Sequence, residues 1–332
     1  MNWSTRVTEL LGCEYPIIQG AYGGFGTSAI AAPVSAAGGC GIITAGALKT
    51  PERLREDIRR AREMTDKPFA VNISMIHKVM DIAPQYLDVV IEEKIPVLFT
   101  AAYKAEFLGQ RAKAAGLKWV HKVATIKHAL AAERQGADAV VLVGLEGAGF
   151  KSTIQVPTLI GITALARTMK VPLIAAGGIG DARGFLAALA MGAEGVYLGT
   201  RFMATRECPI SDRAKQMMVD GDPLDPKYRD HALIPPKAEI LERVKAQRGS
   251  KPMAEWLTSL ENAMVGFEGE TDDSSNDTEL VGGGLPSLAI GVIDNVPTCK
   301  ELIDSIIAEA EELLLRSGPL ARILANNRIA KS

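Results

Sequence analysis

The residues whose type and spacing best suit chemistry are glycines at the ends of two apolar runs. In VPLIAAGGIGDARGFLAALAMGAEGVYLGTRF the run Val171 to Ala176 ends in Gly177-Gly178, and the run Gly195 to Leu198 ends in Gly199-Thr200. A glycine turn after a buried strand exposes backbone N–H groups with no side chain in the way. Two such turns side by side, near a helix that starts at about Asp181, make a cradle for a phosphate. In a (β/α)8 barrel that place lies after strands seven and eight. Alone, the same glycines would be tight turns and nothing more, so the assignment requires six earlier strands.

The strand ends of such a barrel gather Gln19 to Gly24, Asn72 to Ser74, Thr100 to Tyr103, Lys122, Gly144 to Ser152, Gly177 to Gly180 and Gly199 to Arg201. This set holds no Ser/His/Asp arrangement and no metal cluster, and carboxylates are scarce in it. A rim with a phosphate cradle and little acid/base machinery points to a bound cofactor that carries the reaction, and flavin mononucleotide (FMN) fits best. LEGAGFKS (Leu145 to Ser152) imitates a nucleotide-binding P-loop, with Gly144 and Gly149 at the right spacing. Phe150 intervenes before Lys151-Ser152, and nucleoside triphosphate binding is rejected. Glu146 follows an apolar strand and reads as a loop anchor that accepts backbone N–H groups.

The elements that must position these residues alternate along the chain. Short apolar runs at Pro16 to Gly20, Cys40 to Thr44, Phe69 to Ile73, Val97 to Thr100, Trp119 to Val123 and Ala139 to Val143 precede the two named above, which makes eight. Helical spacing separates them at Ala29 to Ala37, PERLREDIRRAREM, Tyr86 to Glu93, Phe107 to Ala115 and Ile126 to Gln135. Strands apolar on both faces need helices on both sides of a parallel sheet, and eight units favour closure into an α/β (β/α)8 TIM barrel. After Phe202 the alternation stops, and residues 207–281 read as an inserted helical subdomain after strand eight. Its helices are expected at Arg213 to Val219, Lys237 to Arg248 and Met253 to Met264, and its end, EGETDDSSNDTE, is an acidic solvated loop. The barrel domain is then 1–206 plus 282–332, closed by a helix with Thr298 as N-cap, Glu301 completing a capping box, and a stripe of Leu302, Ile306, Ala310 and Leu313.

The whole-chain totals bound the function classes. The chain has 332 residues, 47% of them hydrophobic, which is ample for a large core, and a net charge of −2. No basic field is present for a nucleic acid or an anionic membrane surface, so both are excluded as partners. Four scattered cysteines without a C-x-x-C, an N-terminus without a signal-peptide core and no membrane-length apolar run fit a cytoplasmic protein. Four histidines leave little material for a metal site, and none is expected.

Four segments carry a family resemblance: PIIQG, KPFAVNIS, WVHKVATIKHALAAERQGADAVV and IAAGGIGDARGFLAALAMGAEGVYLGTRFMATRECP. Together they resemble the nitronate monooxygenase (2-nitropropane dioxygenase) family of FMN barrels, whose relatives include NADH:quinone reductases and flavin enoyl-carrier-protein reductases. The resemblance covers nearly the whole chain. It implies that Gly177, Gly178, Gly199 and Thr200 hold the flavin phosphate and that Asn72 touches the ring or its ribityl chain. It implies further that Gln19, Gly20, Ala21 and Tyr22 lie along the isoalloxazine, that Lys122 sits near its N1–C2 edge, and that Gly144, Gly149 and Ala176 complete the cofactor site.

Three departures surround the reaction centre. Family members that oxidise nitronates read E-x-x-G-H after the sixth strand, and Phe150 stands at that histidine, where a phenyl ring can neither accept nor give a proton. The family serine beside the phosphate glycines is Ala176, and the usual Pro-Met over the flavin is Ala21-Tyr22. The candidate catalytic residues are therefore Tyr22, Lys122 and Phe150, with Tyr22 either a proton donor or an aromatic shelf. Lys151, Ser152, His77 and Tyr103 are further rim residues. The expected activity is flavin-dependent transfer of hydride or electrons to or from an enoyl or acyl thioester, enone or quinone, with NAD(P)H as a candidate reductant. Nitronate oxidation by oxygen and a non-catalytic flavin-binding subunit are the alternatives. The expected partner is a small-molecule substrate, with a CoA or acyl-carrier thioester among the candidates, and a homodimer is left open.

Overall fold

The computed structural model describes residues 1–102, 105–149, 152–234, 237–264, 286–319 and 321–323. Eight strands form one parallel sheet: β1 (Ile17–Gln19), β2 (Ile42–Thr44), β3 (Ala70–Ser74), β4 (Val97–Ala101), β5 (Lys118–Val123), β6 (Ala139–Val143), β7 (Leu173–Ala176) and β8 (Gly195–Leu198). The order β1-β8-β7-β6-β5-β4-β3-β2 runs around a TIM barrel. Its seam lies between β1 and β2, where one isolated parallel bridge joins Ile18 of β1 to Cys40, two residues before β2. Cys40 N–H donates to Ile17 O at 2.9 Å and Gln19 N–H to Cys40 O at 3.0 Å. Beyond them the Gln19 side chain takes over: its Oε1 accepts the Ile42 N–H at 2.9 Å. Gln19 is fully buried, so a side-chain amide finishes the ladder that the main chain leaves short.

Alternation along the strands sets the two faces. Ile18, Ile42, Ala70, Val97, Phe99, Val120, Val141, Ile174 and Tyr197 pack together in the lumen. Val71, Ile73, Leu98, Val140, Leu142, Ala175 and Val196 pack outward against helices. A helix that sequence reading did not anticipate, Arg6–Leu11, plugs the amino-terminal end with Val7 and Leu11. Thr5 and Thr8 cap that helix reciprocally, and Gly12 ends it at φ 70.

The closing helix runs over Cys299–Glu312 with the expected Thr298–Glu301 capping box. It lies across the helices Ser28–Ala36 and Ala182–Ala190 and buries Leu302, Ile303, Ile306 and Ile307. Each such side chain contributes about 1.5–3 kcal/mol of transfer free energy. Leu313, the last residue of the expected stripe, packs half-buried against the same core and opens a π turn, Leu313–Ser317.

After β8 come the short helix Thr200–Met203 and the helices Asp212–Val219, Pro226–Leu233, Ala238–Ala246 and Met253–Met264. Pro226–Leu233 was not anticipated; Asp225 caps it and proline takes its first position. Leu241, Val244, Trp256 and Ala263 form a separate small core, with Trp256 Nε1–H donating to Val244 O at 2.7 Å. Helix Met253–Met264 reaches the short helix His77–Met80 that follows β3, so this pair of helices leans on the carboxyl-end rim. The acidic stretch expected within 268–279 lies outside the described residues. Among the described residues no helix is long and apolar enough to cross a membrane.

Candidate active site

The floor of the barrel mouth is built by inward positions near the strand ends: Thr44, Asn72, Lys122, Val143, Ala176 and Tyr197. Lys122 Nζ stands 6.0 Å from the centroid of the Tyr197 ring, and the Phe99 ring lies 6.3 Å from it. Lys122 has no hydrogen bond or ion pair among the described residues, and burial lowers the pKa of its amine. Asn72 is buried and donates to Ser74 Oγ at 3.0 Å, while its carboxamide oxygen meets no donor among the described residues. The mouth thus offers an unpaired cation and an unpaired acceptor, as a polar ring edge requires.

The loop after β1 forms one wall. Gly20 passes so near β8 that a Cβ there would lie 2.8 Å from Gly199 Cα, and its N–H donates to Leu198 O at 2.8 Å. Ala21 N–H donates to Tyr197 Oη at 2.5 Å and Tyr22 N–H to Thr44 Oγ1 at 3.1 Å. The Tyr22 ring stacks on Phe25 at 4.6 Å, and its hydroxyl donates to Gly199 O at 2.9 Å. Burial pushes the Tyr22 pKa well above the ordinary phenol value. Tyr22 is therefore placed as a strut between the β1 loop and the turn after β8, its proton committed to a carbonyl.

The glycine turns have the backbone shape and the free donors that an anion would need. Gly177 and Gly178 have φ 104 and 72, which side chains rarely adopt, and a Cβ at Gly178 would lie 3.1 Å from Glu146 Cβ. A Cβ at Gly199 would project into open space, the space a ligand would use. No described residue accepts the N–H groups of Gly177, Gly178 or Gly199, so three half-buried donors await an acceptor.

Two neighbouring groups are spent elsewhere. Thr200 Oγ1 accepts the Ser287 N–H at 2.9 Å and contacts Ser287 Oγ at 2.8 Å, so this hydroxyl ties down the closing segment. Asp181 Oδ1 accepts Gly184 N–H at 2.7 Å and caps helix Ala182–Ala190 itself, which leaves the cradle to the glycine turns. Glu146 accepts the Thr158 N–H at 2.9 Å and its hydroxyl at 2.7 Å. It thereby anchors the first turn of helix Thr158–Ala166, whose N-cap, Pro157, has no side-chain acceptor. A Cβ on Gly144 would strike Thr158 Oγ1 at 2.1 Å, so Gly144 serves this packing. Gly149 has φ 94 and open surroundings.

The nitronate monooxygenase family model matches residues 4–225, well over half of the chain. The chain belongs to the nitronate monooxygenase family. Among curated relatives, the (3aS,4S,5R,7aS)-5-hydroxy-7a-methyl-1-oxo-octahydro-1H-indene-4-carboxyl-CoA dehydrogenase of Rhodococcus jostii (strain RHA1) is 32% identical, over 95% of this chain and 98% of its own. The probable nitronate monooxygenase of Staphylococcus aureus (strain Newman) is 30% identical, over 66% of this chain and 73% of its own. FabK from Thermotoga maritima superimposes with a TM-score of 0.73 at 34% identity, over 93% of this chain and 96% of that one. The chain is an oxidoreductase of this superfamily.

As a member of the nitronate monooxygenase family, the chain brings Ala21, Tyr22, Asn72, Lys122, Ala176, Gly177, Gly178 and Gly199 to one mouth, while Gln19 sits at the seam with its carbonyl oxygen on Ile42 N–H. Phe150, Lys151 and Tyr103 lie outside the described residues, as does the side chain of His77. Sequence reading missed Thr44, Thr158, Tyr197 and Ser287. Tyr197 carried a signal, since it stands two residues before Gly199 and so faces the lumen in a strand that ends at Leu198.

Proposed function

We propose that the chain is an FMN-dependent oxidoreductase that reduces or forms a C=C bond beside the carbonyl of an acyl thioester, with a CoA ester as the favoured substrate. The observation that carries this reading is the mouth itself: it holds three backbone N–H groups, at Gly177, Gly178 and Gly199, and the half-buried Lys122 amine, none of which has a partner among the described residues. Bound FMN would supply hydride exchange at its N5. Gly177, Gly178 and Gly199 would hold its phosphate, Asn72 and Lys122 would orient its ring edge, and Ala21 and Tyr22 would wall it in. Kinship over almost the full length of both chains with a carboxyl-CoA dehydrogenase supports the thioester class. Phe150 in place of a histidine supports a reaction that needs no imidazole on that loop.

A second reading, nitronate oxidation by oxygen, draws on the staphylococcal relative. One experiment ranks the readings. The purified protein is expected to be yellow, and a short enoyl- or acyl-CoA, or NADH or NADPH followed by enoyl-CoA, is expected to change its flavin spectrum under anaerobic conditions. A colourless protein that takes up no FMN would sink the cofactor assignment. Fast turnover of propyl nitronate by the native protein, not raised by Phe150→His, would sink the thioester reading in favour of the second. Bound FMN that no substrate or nicotinamide reduces would leave a binding subunit.

A further inference from the structure

At the floor of the mouth a buried proton has no acceptor among the described residues. Tyr197 is 7% exposed; its Oη accepts the Ala21 N–H at 2.5 Å, and no described residue takes the phenol's own proton. A buried O–H without a partner costs on the order of 1–3 kcal/mol, so a site that retains one is suited to a ligand that accepts it. Lys122 approaches from β5, across the lumen from β8, and its ammonium likewise meets no acceptor among the described residues. The Ala21 N–H fills one lone pair of the Tyr197 oxygen and ties that oxygen to the loop that borders the mouth. What remains of both side chains toward the cavity is donors.

We propose that Tyr197 Oη–H is a second donor, paired with the Lys122 Nζ already assigned to the ring edge, for the edge of the bound flavin where negative charge collects when the ring is reduced. This rests on the flavin reading above. The pair divides the work: the lysine brings charge, and the phenol brings a neutral donor whose proton burial holds in place. Donors that meet a charge present only in the reduced ring favour that state, so the pair raises the flavin's reduction potential.

Tyr197→Phe keeps the ring, its Phe99 neighbour and the lysine approach, and removes one proton. In the FMN-loaded protein, reduced by xanthine oxidase against a reference dye, the two-electron potential is expected to fall by about 30 mV, a tenfold loss in the preference for reduced over oxidised flavin. Tyr197→Gln, which restores a donor, is expected to hold that preference within about twofold of native, and it serves also if the Phe variant does not fold. The substitution to Phe also frees the Ala21 N–H. A merely structural role therefore weakens FMN binding equally in both redox states and leaves the potential unmoved, and that result overturns the pairing alone. A native protein that takes up no FMN overturns the pairing together with the flavin reading beneath it.

Discussion

At the scale of single residues, the informative quantity is where each polar atom is already committed. Tyr22 suits proton transfer by type, yet its hydroxyl donates to Gly199 O at 2.9 Å in a buried setting that holds the proton on the oxygen. Tyr22→Phe removes one neutral hydrogen bond, worth about 1 kcal/mol. It is expected to lower the melting temperature of a chain this long by about 1–2 °C and to leave kcat within a few fold. A loss of about a hundredfold in kcat without a change in melting would instead make Tyr22 the proton donor. Glu146 is the opposite case. Its place behind an apolar strand suggested an anchor before any partner was known, and the acceptor role toward Thr158 fulfils that reading.

At the scale of elements, the outer face of β4 and β5 carries a buried polar cluster unrelated to the mouth. Trp119 Nε1–H donates to Thr100 Oγ1 at 2.7 Å, which leaves the threonine proton for Nδ1 of a neutral His121, also at 2.7 Å. Burial pulls the His121 pKa down from 6.5 to about 4. The unfolded chain therefore binds a proton, between pH 6.5 and about 4, that the folded barrel refuses. Stability is full above pH 6.5, falls as the pH drops through that window by up to about 3 kcal/mol, and levels off below about 4. Urea midpoints recorded from pH 7 to pH 4 should show this slope, and His121→Gln should flatten it. An unchanged slope in the variant would assign the acid sensitivity to other groups.

At the scale of the whole molecule, the barrel mouth is expected to gain stability from its ligand. With free FMN at about a hundred times its dissociation constant, binding adds about 2.7 kcal/mol, which corresponds to a rise of several degrees in melting temperature for a chain of this size. No shift at millimolar FMN would remove the cofactor from the account. Such a gain would belong to the whole fold, because β1, β3, β5, β7 and β8 each place part of the barrel mouth and loss of any one register would scatter it.

The eight strands were legible because buried parallel strands leave short apolar runs, and their ends agree with the observed strands to within two residues, as at Ala139–Val143 and Gly195–Leu198. The two glycine turns were legible because a positive φ, such as the 104 and 72 seen at 177 and 178, favours glycine. Helix Arg6–Leu11 escaped notice since two turns carry too little periodicity, and Pro226–Leu233 since its sequence is polar. The sequence alone therefore determined the barrel and the family, both of which rest on local spacing, and it marked the glycine turns proposed above as the cradle. Tertiary structure alone decided that Gln19 finishes the seam, that Tyr22 braces Gly199 and that Tyr197 meets Lys122 across the lumen. These pairings join residues far apart in the chain, and no local pattern records which atoms closure of the barrel brings within reach.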